Sequence, residues 1–301
     1  MAELHVLRVF VAPEGTGGNP LGVFLDGAAV PEGRRQAIAT DLGFSETVFV
    51  DDCSAGAVRI FTPAAELPFA GHPLVGTSWL LARERTAVAV LRPPAGEVPT
   101  FLDTDGVTWI RGRAEWAPEM SLRQLAGPEQ VDALDGGPDG LDFADCWAWE
   151  DEAAGLVRSR VFAPRYGIAE DEATGAAAVR LVSQLGRPVT IRQGAGSLLR
   201  ARPGPDGTAE VGGEVVLAEA GGAAASASPS KLTSTRWSGR RSSCLARPSR
   251  ARSSGPPSGG GARLRGHSRR LRTTFSSAAS RVTVEARYSH DSRPMTRAKA
   301  P

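Results

Sequence analysis

Residues 59–77 read R-I-F-T-P-A-A-E-L-P-F-A-G-H-P-L-V-G-T, and the rest of the chain can be interpreted from this stretch. Its first apolar residues predict a strand that ends in a proline-rich turn. A Gly-His-Pro corner follows, and the apolar run after it predicts a helix through Trp79, Leu80 and Leu81. The first N–H groups of a helix have no partner within the helix and favour an anion. We therefore expect chemistry near His72, with a second group opposite it.

The charge distribution divides the chain in two. Residues 1–221 contain 18 Arg, no Lys and 31 Asp and Glu, so their net charge is −13. Residues 222–301 contain 15 Arg and 2 Lys against Glu285 and Asp291, so their net charge is +15. The first part carries the apolar periodicity and is long enough to bury one large core or two small ones. The second part is rich in Ser, Arg, Gly and Pro and poor in large apolar residues, which predicts a disordered tail.

Three interpretations of residues 222–301 stay open. Their 17 basic residues attract polyanions, so the tail is a candidate arm for nucleic acid or a membrane surface, without sequence specificity. The tail is also compatible with a disordered extension that has no function. The abrupt change in composition is what a shift of reading frame near residue 221 would produce, and we favour this interpretation. Apart from the tail, we expect neither a nucleic-acid partner nor a membrane partner.

Several function classes are disfavoured by residues that the core lacks. The first 230 residues contain no Lys, so they have neither a P-loop lysine nor the Schiff-base lysine that pyridoxal phosphate needs. The Cys and His residues show no metal-ligand spacing. Neither a signal peptide nor an apolar run of the ~20 residues that a membrane helix needs is evident. We therefore expect a cytoplasmic protein that works without a metal and without a cofactor.

One motif occurs twice. The pentapeptide R-V-F-A-P at residues 160–164 repeats R-I-F-T-P at residues 59–63, at an offset of 101 residues. Each copy is followed by an acidic turn and then by a glycine that we expect to open a small-residue helix, Gly76 in the first copy and Gly175 in the second. This order predicts two related lobes. We place them at residues 1–96 and 97–221, with the tail at residues 222–301.

Three titratable residues are candidates for the chemistry. Glu46 lies among apolar neighbours, so desolvation would raise its pKa toward the range that suits acid–base catalysis; the alternative is a strand-edge Glu that faces water. His72 could transfer a proton or bind a carboxylate, or it could cap the start of its helix. Asp171, at the mirrored position of the second copy, could be an ordinary residue near a helix start.

Several motifs in order along residues 4–219 resemble those of the PhzF family, the phenazine biosynthesis isomerases and their relatives. They are Gly17-Gly18-Asn19-Pro20, Ser45-Glu46-Thr47, Phe61-Thr62-Pro63, Leu67-Pro68-Phe69-Ala70-Gly71-His72-Pro73, Glu170-Asp171 before Thr174-Gly175, Gln193-Gly194 and Val211-Gly212-Gly213. The resemblance implies an α/β (α+β) fold of two similar lobes, each a curved, mostly antiparallel sheet around a central helix, as in diaminopimelate epimerase. It also implies an active site in the cleft between the lobes, and a homodimer.

The resemblance assigns roles to residues of this chain. It implies that Glu46 is the acid–base group that moves a proton on the substrate, supported across the cleft by His72 and Asp171. It implies that the substrate, a small molecule with a carboxylate, is bound without metal or cofactor by a glycine-rich loop and the helix starts, namely Gly18, Asn19, Gly71, Gly76, Thr174, Gly175 and Ala176. Of these, Gly76 and Gly175 would face the carboxylate.

Two residues depart from the second motif of the family, which commonly reads E-D-P-x-T-G-S. Glu172 replaces the Pro, and we expect its charge to raise the pKa of Asp171. Ala176 replaces the Ser, which removes a hydrogen-bond donor from the pocket. We therefore expect the reaction type of the family, proton transfer in an isomerisation, and not one particular substrate. The alternative is a small-molecule binding protein that has kept the cleft and lost catalysis.

Overall fold

The structure, a computed structural model, describes residues 2–218. These residues form fifteen β-strands and four α-helices. The strands, β1 to β15 in chain order, are Leu4–Val11, Gly17–Phe24, Glu46–Asp52, Ala57–Phe61, Glu66–Leu67, Val90–Leu91, Val98–Leu102, Thr108–Gly112, Ser121–Gln124, Ala144–Asp151, Leu156–Ala163, Ile168–Asp171, Val189–Gln193, Ser197–Pro203 and Ala209–Leu217. The helices, α1 to α4, are Glu32–Leu42, Gly71–Glu84, Pro128–Asp132 and Gly175–Leu185. The predictions for the tail concern residues outside the described range.

All fifteen strands belong to one sheet. Its main path has the order β5-β4-β3-β2-β1-β15-β14-β13-β11-β10-β9, and β6, β7, β8 and β12 join it at the sides. Within residues 2–218 the strand pairings are antiparallel except for β2–β3, β9–β10 and β11–β13. Strand β15 connects the two halves of the described residues, because it pairs with β1 and β8 as well as with β14. The predicted mixed α/β class with a curved, mostly antiparallel sheet is confirmed.

The strand pairings occur twice in the same order. In the first half, β2 pairs with β3 in parallel, and the antiparallel pairs β3–β4 and β4–β5 follow. After helix α2, Arg92 forms a parallel bridge to β4, and the antiparallel meander β6-β7-β8 completes the half. In β9 to β15 the same sequence of pairings surrounds α4, with β13 parallel to β11. The two halves of the chain are therefore similar, as the repeated motif predicts. The lobe boundary near residue 96 stays a prediction; the pairing pattern itself starts again at β9.

The strand register identifies equivalent residues in the two halves. Arg59 and Arg160 both lie in the strand after the first antiparallel turn, and each forms an ion pair, with Glu66 and Glu170 respectively. The offset between copies is 101 residues at the arginines and 104 at the glutamates. The second copy therefore has three more residues in its turn, which contains the 3-10 helix Pro164–Tyr166.

Helices α2 and α4 are the central helices of the two halves. Their apolar residues are enclosed by strands, and Leu74 and Leu80 of α2 lie in the same core cluster as Val179 and Val182 of α4. Burial of this apolar surface is the main force that holds the helices against the sheet. No helix among residues 2–218 is both long and apolar enough to cross a bilayer.

The prediction that Gly76 opens the first helix is wrong, because α2 begins at Gly71. Pro73 fits the first turn of a helix, where an N–H has no intrahelical acceptor and the fixed φ of proline is already helical. Gly-His-Pro therefore begins the helix instead of forming a corner before it. Gly76 lies inside α2, where a Cβ atom would come within 2.5 Å of the Leu21 side chain on β2. Gly175 does open α4, as predicted.

Candidate active site

A narrow cavity of about 20 Å³ lies between the two halves. Five pairs of residues at or beside this cavity occupy equivalent positions in the two halves of the fold. The equivalence follows from the strand register or from the distance to the start of the central helix. In each pair, one residue is polar and the other is apolar; the pairs are Glu46 and Phe143, Thr62 and Ala163, Leu67 and Asp171, Ala70 and Thr174, and His72 and Ala176. The site is therefore asymmetric although the fold repeats. Asp171 is the counterpart of Leu67 and not of His72, so the mirrored position predicted for it is corrected.

Glu46 is the first residue of β3 and is almost completely enclosed. Its side chain is 9% exposed, so the alternative of a strand-edge Glu that faces water is wrong. Burial, and then the nearby charge of Asp171, raise the pKa of Glu46 well above its usual value. Its Oε2 atom is buried and accepts no hydrogen bond from the residues that the structure describes. The carboxyl group therefore holds its proton to a higher pH than an exposed Glu does.

His72, the second residue of α2, contacts this carboxyl group. Its Nδ1 atom lies 3.2 Å from Oε2 of Glu46, and its ring donates a hydrogen bond to the Pro20 carbonyl. Burial lowers the pKa of His72 to about 3. The imidazole is therefore neutral at neutral pH, and the contact with Glu46 is not an ion pair. Its Nε2 atom is buried and has no hydrogen-bond partner among the described residues.

Asp171, at the end of β12, is held by donors from both halves. The Asn19 side chain crosses from β2 and donates to Oδ1 at 2.7 Å, while Thr174 donates to Oδ2 at 2.6 Å. Burial raises the pKa of Asp171, and the hydrogen bonds from Thr174, Ser45 and Asn19 oppose that rise. Asn19 also donates to the Ala173 carbonyl at 2.9 Å. Its role is therefore to join the two halves next to the cavity.

The charge of Glu172 also raises the pKa of Asp171, as predicted, but its effect is smaller than that of burial. The Glu172 carboxylate does not line the cavity: it accepts hydrogen bonds from the Ala195 N–H and, at 2.6 Å, from the Ser197 hydroxyl. The same Ser197 oxygen accepts the Gly18 N–H at 2.7 Å. Gly18 therefore supports the start of β2, which carries Asn19, and its N–H is not available to a substrate. The predicted glycine-rich loop is corrected, because Gly18 and Asn19 lie in a strand.

Gln193 is a functional-site residue whose role the sequence did not reveal. Its side chain donates to the Asp171 carbonyl and to the Thr174 hydroxyl, both at 2.9 Å, and accepts the Thr174 N–H at 3.0 Å. These bonds fix the segment between β12 and α4. The available signal was a polar residue at the end of a buried strand, within the Gln193-Gly194 motif.

The starts of the two central helices meet beside the cavity. Gly71 and Gly175 touch through their backbones, and Ala70, Thr174 and Ala176 line the cavity. Neither N-cap side chain bonds to its own helix, so the first N–H groups remain available to an anion. Among the described residues, the cavity wall contains no Arg. Gly76 lies away from this point, against the sheet.

The structure thus brings Glu46, His72 and Asp171 together, with the predicted helix-start residues around them. Within residues 2–218, no group of His, Cys, Asp and Glu is arranged to hold a metal ion.

The chain is similar to known proteins of one family. The family model described as phenazine biosynthesis-like protein (PhzC-PhzF) matches residues 9–116. The trans-2,3-dihydro-3-hydroxyanthranilate isomerase of Pseudomonas fluorescens is 33% identical over 226 residues, which covers 59% of this chain and 80% of that protein. The Pseudomonas aeruginosa protein of the same name is 35% identical over 217 residues, covering 58% and 77% respectively.

Solved structures agree with the fold. A PhzF family protein from Enterococcus faecalis matches with a TM-score of 0.59 at 21% identity, and a predicted epimerase from Pseudomonas aeruginosa matches with a TM-score of 0.58 at 24% identity. Each match covers 72% of this chain and 97% of the other chain. With sequence relatives above 30% identity covered over most of their length, the chain belongs to the PhzF family of isomerases.

Proposed function

We propose that the chain is a cofactor-independent isomerase that moves a proton between two carbon atoms of a small metabolite bearing a carboxylate, with Glu46 as the general acid–base. The observation that carries the proposal is the environment of Glu46. Its carboxyl group is buried, its pKa is raised, and the residue lines the cavity between the halves. A carboxyl group whose pKa is raised toward the working pH is both a competent base and a competent acid.

The cavity suits an anionic substrate because the starts of both central helices border it. The free N–H groups at the starts of α2 and α4 would bind the substrate carboxylate, because both helix dipoles direct positive charge to the same point. His72, neutral and behind the cavity wall, would position the carboxyl group of Glu46, which its Nδ1 contacts at 3.2 Å.

The proposed reaction needs no redox step. Ionised Glu46 removes a proton from one carbon, the C–H electron pair shifts along a conjugated system, and the protonated Glu46 returns the proton to another carbon. The substrate gains and loses one proton, so its composition does not change. Asp171, held by Asn19 and Thr174, would keep the pKa of Glu46 high throughout.

Solvent isotope exchange tests this assignment. The first compound to try is trans-2,3-dihydro-3-hydroxyanthranilate, after the names of the relatives, followed by related unsaturated carboxylates. In D₂O, we expect the wild type to incorporate deuterium into the compound that it turns over. Glu46→Gln should slow incorporation at least ~100-fold, the usual contribution of a general acid–base group. Glu97→Gln, at an exposed carboxylate, should match the wild type. Equal incorporation by Glu46→Gln and wild type would remove Glu46 from the mechanism.

The second candidate is a binding protein of the same fold that has lost catalysis. It is favoured by the apolar side chain of Ala176 in the cavity wall, at the position where the family motif has a hydroxyl. This candidate predicts a compound that binds tightly and is never converted or labelled at any pH. The homodimer, the cytoplasmic location and the lack of a specific nucleic-acid partner stay predictions. Sedimentation of the purified chain would test the first of them.

A further inference from the structure

A second, wider cleft adjoins the cavity. This outer cleft has a volume of about 920 Å³, and it shares the wall residues Leu67, Pro118 and Tyr166 with the inner cavity. Arg180 of α4 lines the outer cleft and not the inner cavity. A ligand that reacts at Glu46 and is longer than the inner cavity would therefore extend toward Arg180.

Arg180 is placed on the same side of α4 as the active site. It follows Ala176, which lines the inner cavity, by four residues, and residues four apart lie on one face of a helix. Long side chains on a helix also lean toward its N-terminus, which here is the helix start at Gly175. The equivalent position in α2 is Gly76, which has no side chain. This anchoring position therefore exists in only one half.

The guanidinium of Arg180 is only partly satisfied. Its Nη2 atom donates to the Ala117 carbonyl at 2.8 Å, which fixes the side chain. Its Nε atom is buried and has no hydrogen-bond partner, and no carboxylate among the described residues lies within ion-pair distance. A buried donor left without a partner is unfavourable, and more so when it is charged. A ligand that supplied an acceptor would recover that cost.

The other charges of the outer cleft are mostly paired. Glu66 pairs with Arg59, Glu115 lies 3.8 Å from Arg113, and Arg165 lies 2.7 Å from Asp142. Of the charged wall residues that the structure describes, Arg180 and Glu119 are in no ion pair. Because Glu119 repels an anion, a ligand gains here only if its carboxylate bonds directly to Arg180.

We propose that Arg180 binds a second carboxylate at the far end of the substrate, so that the substrate class is the dicarboxylates. The assignment of the near end to Glu46 rests on the proposed function, but the Arg180 contact itself does not. Arginine suits this role because its planar guanidinium can hold a carboxylate through two parallel hydrogen bonds.

Calorimetric titration with matched ligands tests the proposal. The probes are the dicarboxylates from succinate to pimelate, each compared with the monocarboxylate of equal length, from butyrate to heptanoate. In the wild type, we expect at least one dicarboxylate to bind ten-fold or more tightly than its monocarboxylate. Arg180→Met, which keeps the apolar stem, should abolish that preference and leave monocarboxylate affinity unchanged. Arg83→Met, at an exposed arginine of α2, should keep the preference.

Three outcomes would overturn the proposal: no dicarboxylate is preferred, Arg180→Met keeps the preference, or no member of the series binds. A purely structural role for Arg180 predicts instead that Arg180→Met lowers the melting temperature and weakens both ligand series equally. The same titrations on Glu46→Gln should still show the preference for dicarboxylates, because the Arg180 contact does not depend on the acid–base role of Glu46. If Arg180 selects dicarboxylates but the wild type exchanges no deuterium, the anchoring role stands and the isomerase assignment fails.

Discussion

Gly71 and Gly175 contact each other through their backbones. A Cβ atom added to Gly71 would lie 2.6 Å from the Cα of Gly175, and one added to Gly175 would lie 2.7 Å from the Cα of Gly71. Each is the first residue of a central helix, so glycine at both positions lets the two helix starts meet. The positive ends of the two helix dipoles repel each other at this point, and an anion in the cavity would relieve that repulsion.

We therefore expect Gly175→Ala and Gly71→Ala to lower the free energy of unfolding by about 1–3 kcal/mol each, as overpacking does in a core. The obstructing atoms belong to the backbone and cannot rotate away as a side chain can. Gly33→Ala is the matched control, because Gly33 lies in α1 with nothing within 4 Å of its Cβ position. That change should raise the free energy of unfolding by up to about 1 kcal/mol. Urea denaturation measures all three, and equal stability of the three variants would contradict the close contact.

The pH dependence of turnover should report Glu46 and not His72. Because the pKa of Glu46 is raised, kcat/KM should fall on the acid side with a midpoint above 4.5, as the base becomes protonated. Asp171→Asn removes a charge that raises this pKa, so the midpoint should move to lower pH. His72→Gln should leave the midpoint close to that of the wild type, because the pKa of His72 is already lowered to about 3. A midpoint that follows His72 and ignores Asp171 would contradict the assignment.

A second buried carboxyl group should control stability at neutral pH. Asp145 of β10 is 1% exposed and accepts a hydrogen bond from Ser159 at 2.6 Å, and burial raises its pKa to about 7. The folded state therefore favours the protonated form, so this stabilisation is complete below about pH 4 and is lost as pH rises through about 7.

In the wild type, the loss of this stabilisation should lower the free energy of unfolding by roughly 1 kcal/mol for each pH unit gained between about pH 5 and 7. Asp145→Asn should remove this pH dependence. An amide keeps an oxygen that can accept from Ser159 and never ionises. Asp139→Asn, at an exposed site, should keep the slope of the wild type. Denaturation at several pH values measures the slope, and a slope unchanged by Asp145→Asn would refute the prediction.

Ser197 should matter for stability and for the site together. Its hydroxyl group connects the Gly18 N–H to the Glu172 carboxylate, and Gly18 precedes Asn19, the residue that joins the halves. Ser197→Ala leaves the Gly18 N–H buried without an acceptor, so we expect a loss of about 1–3 kcal/mol in the free energy of unfolding. The start of β2, which carries Asn19, should also become less ordered, and this should raise KM.

Ser183→Ala provides the control for this measurement. Its hydroxyl group bonds only to a carbonyl one turn earlier in α4, on an exposed surface. Substitutions at such positions usually change stability by less than about 0.5 kcal/mol. The role of Ser197 fails if the two serine variants lose the same amount.

Local patterns predicted the strand that precedes α2, whereas the fold class followed from the resemblance to the PhzF family. They left the burial of Glu46 open, because apolar neighbours in a strand do not show which face of the sheet a side chain occupies. The repeat was predicted as well, but its alignment was wrong at Gly76. The sequence comparison used one nearly constant offset between the two copies of the motif, but the turn after the second copy is three residues longer. The consequence was that a glycine inside α2 was taken for the start of the helix.

Contacts between distant parts of the chain could not be predicted in the same way. The hydrogen bond from Asn19 to Asp171 spans 152 positions, and the one from Gly18 to Ser197 spans 179. No local periodicity encodes such a distance; only the register of the sheet brings these residues together. Gln193 and Arg180 were missed for the same reason, since each acquires its role from a neighbour that is remote in sequence.

The equivalence of Glu46 and Phe143 has a historical consequence. If the repeat arose by duplication of one half, the ancestor was a symmetric dimer in which both positions held the same residue, because one gene encoded both walls. Such a site could not combine an acid on one side with an aromatic ring on the other. Fusion of the two copies into one gene removed that restriction, and each wall could then change independently.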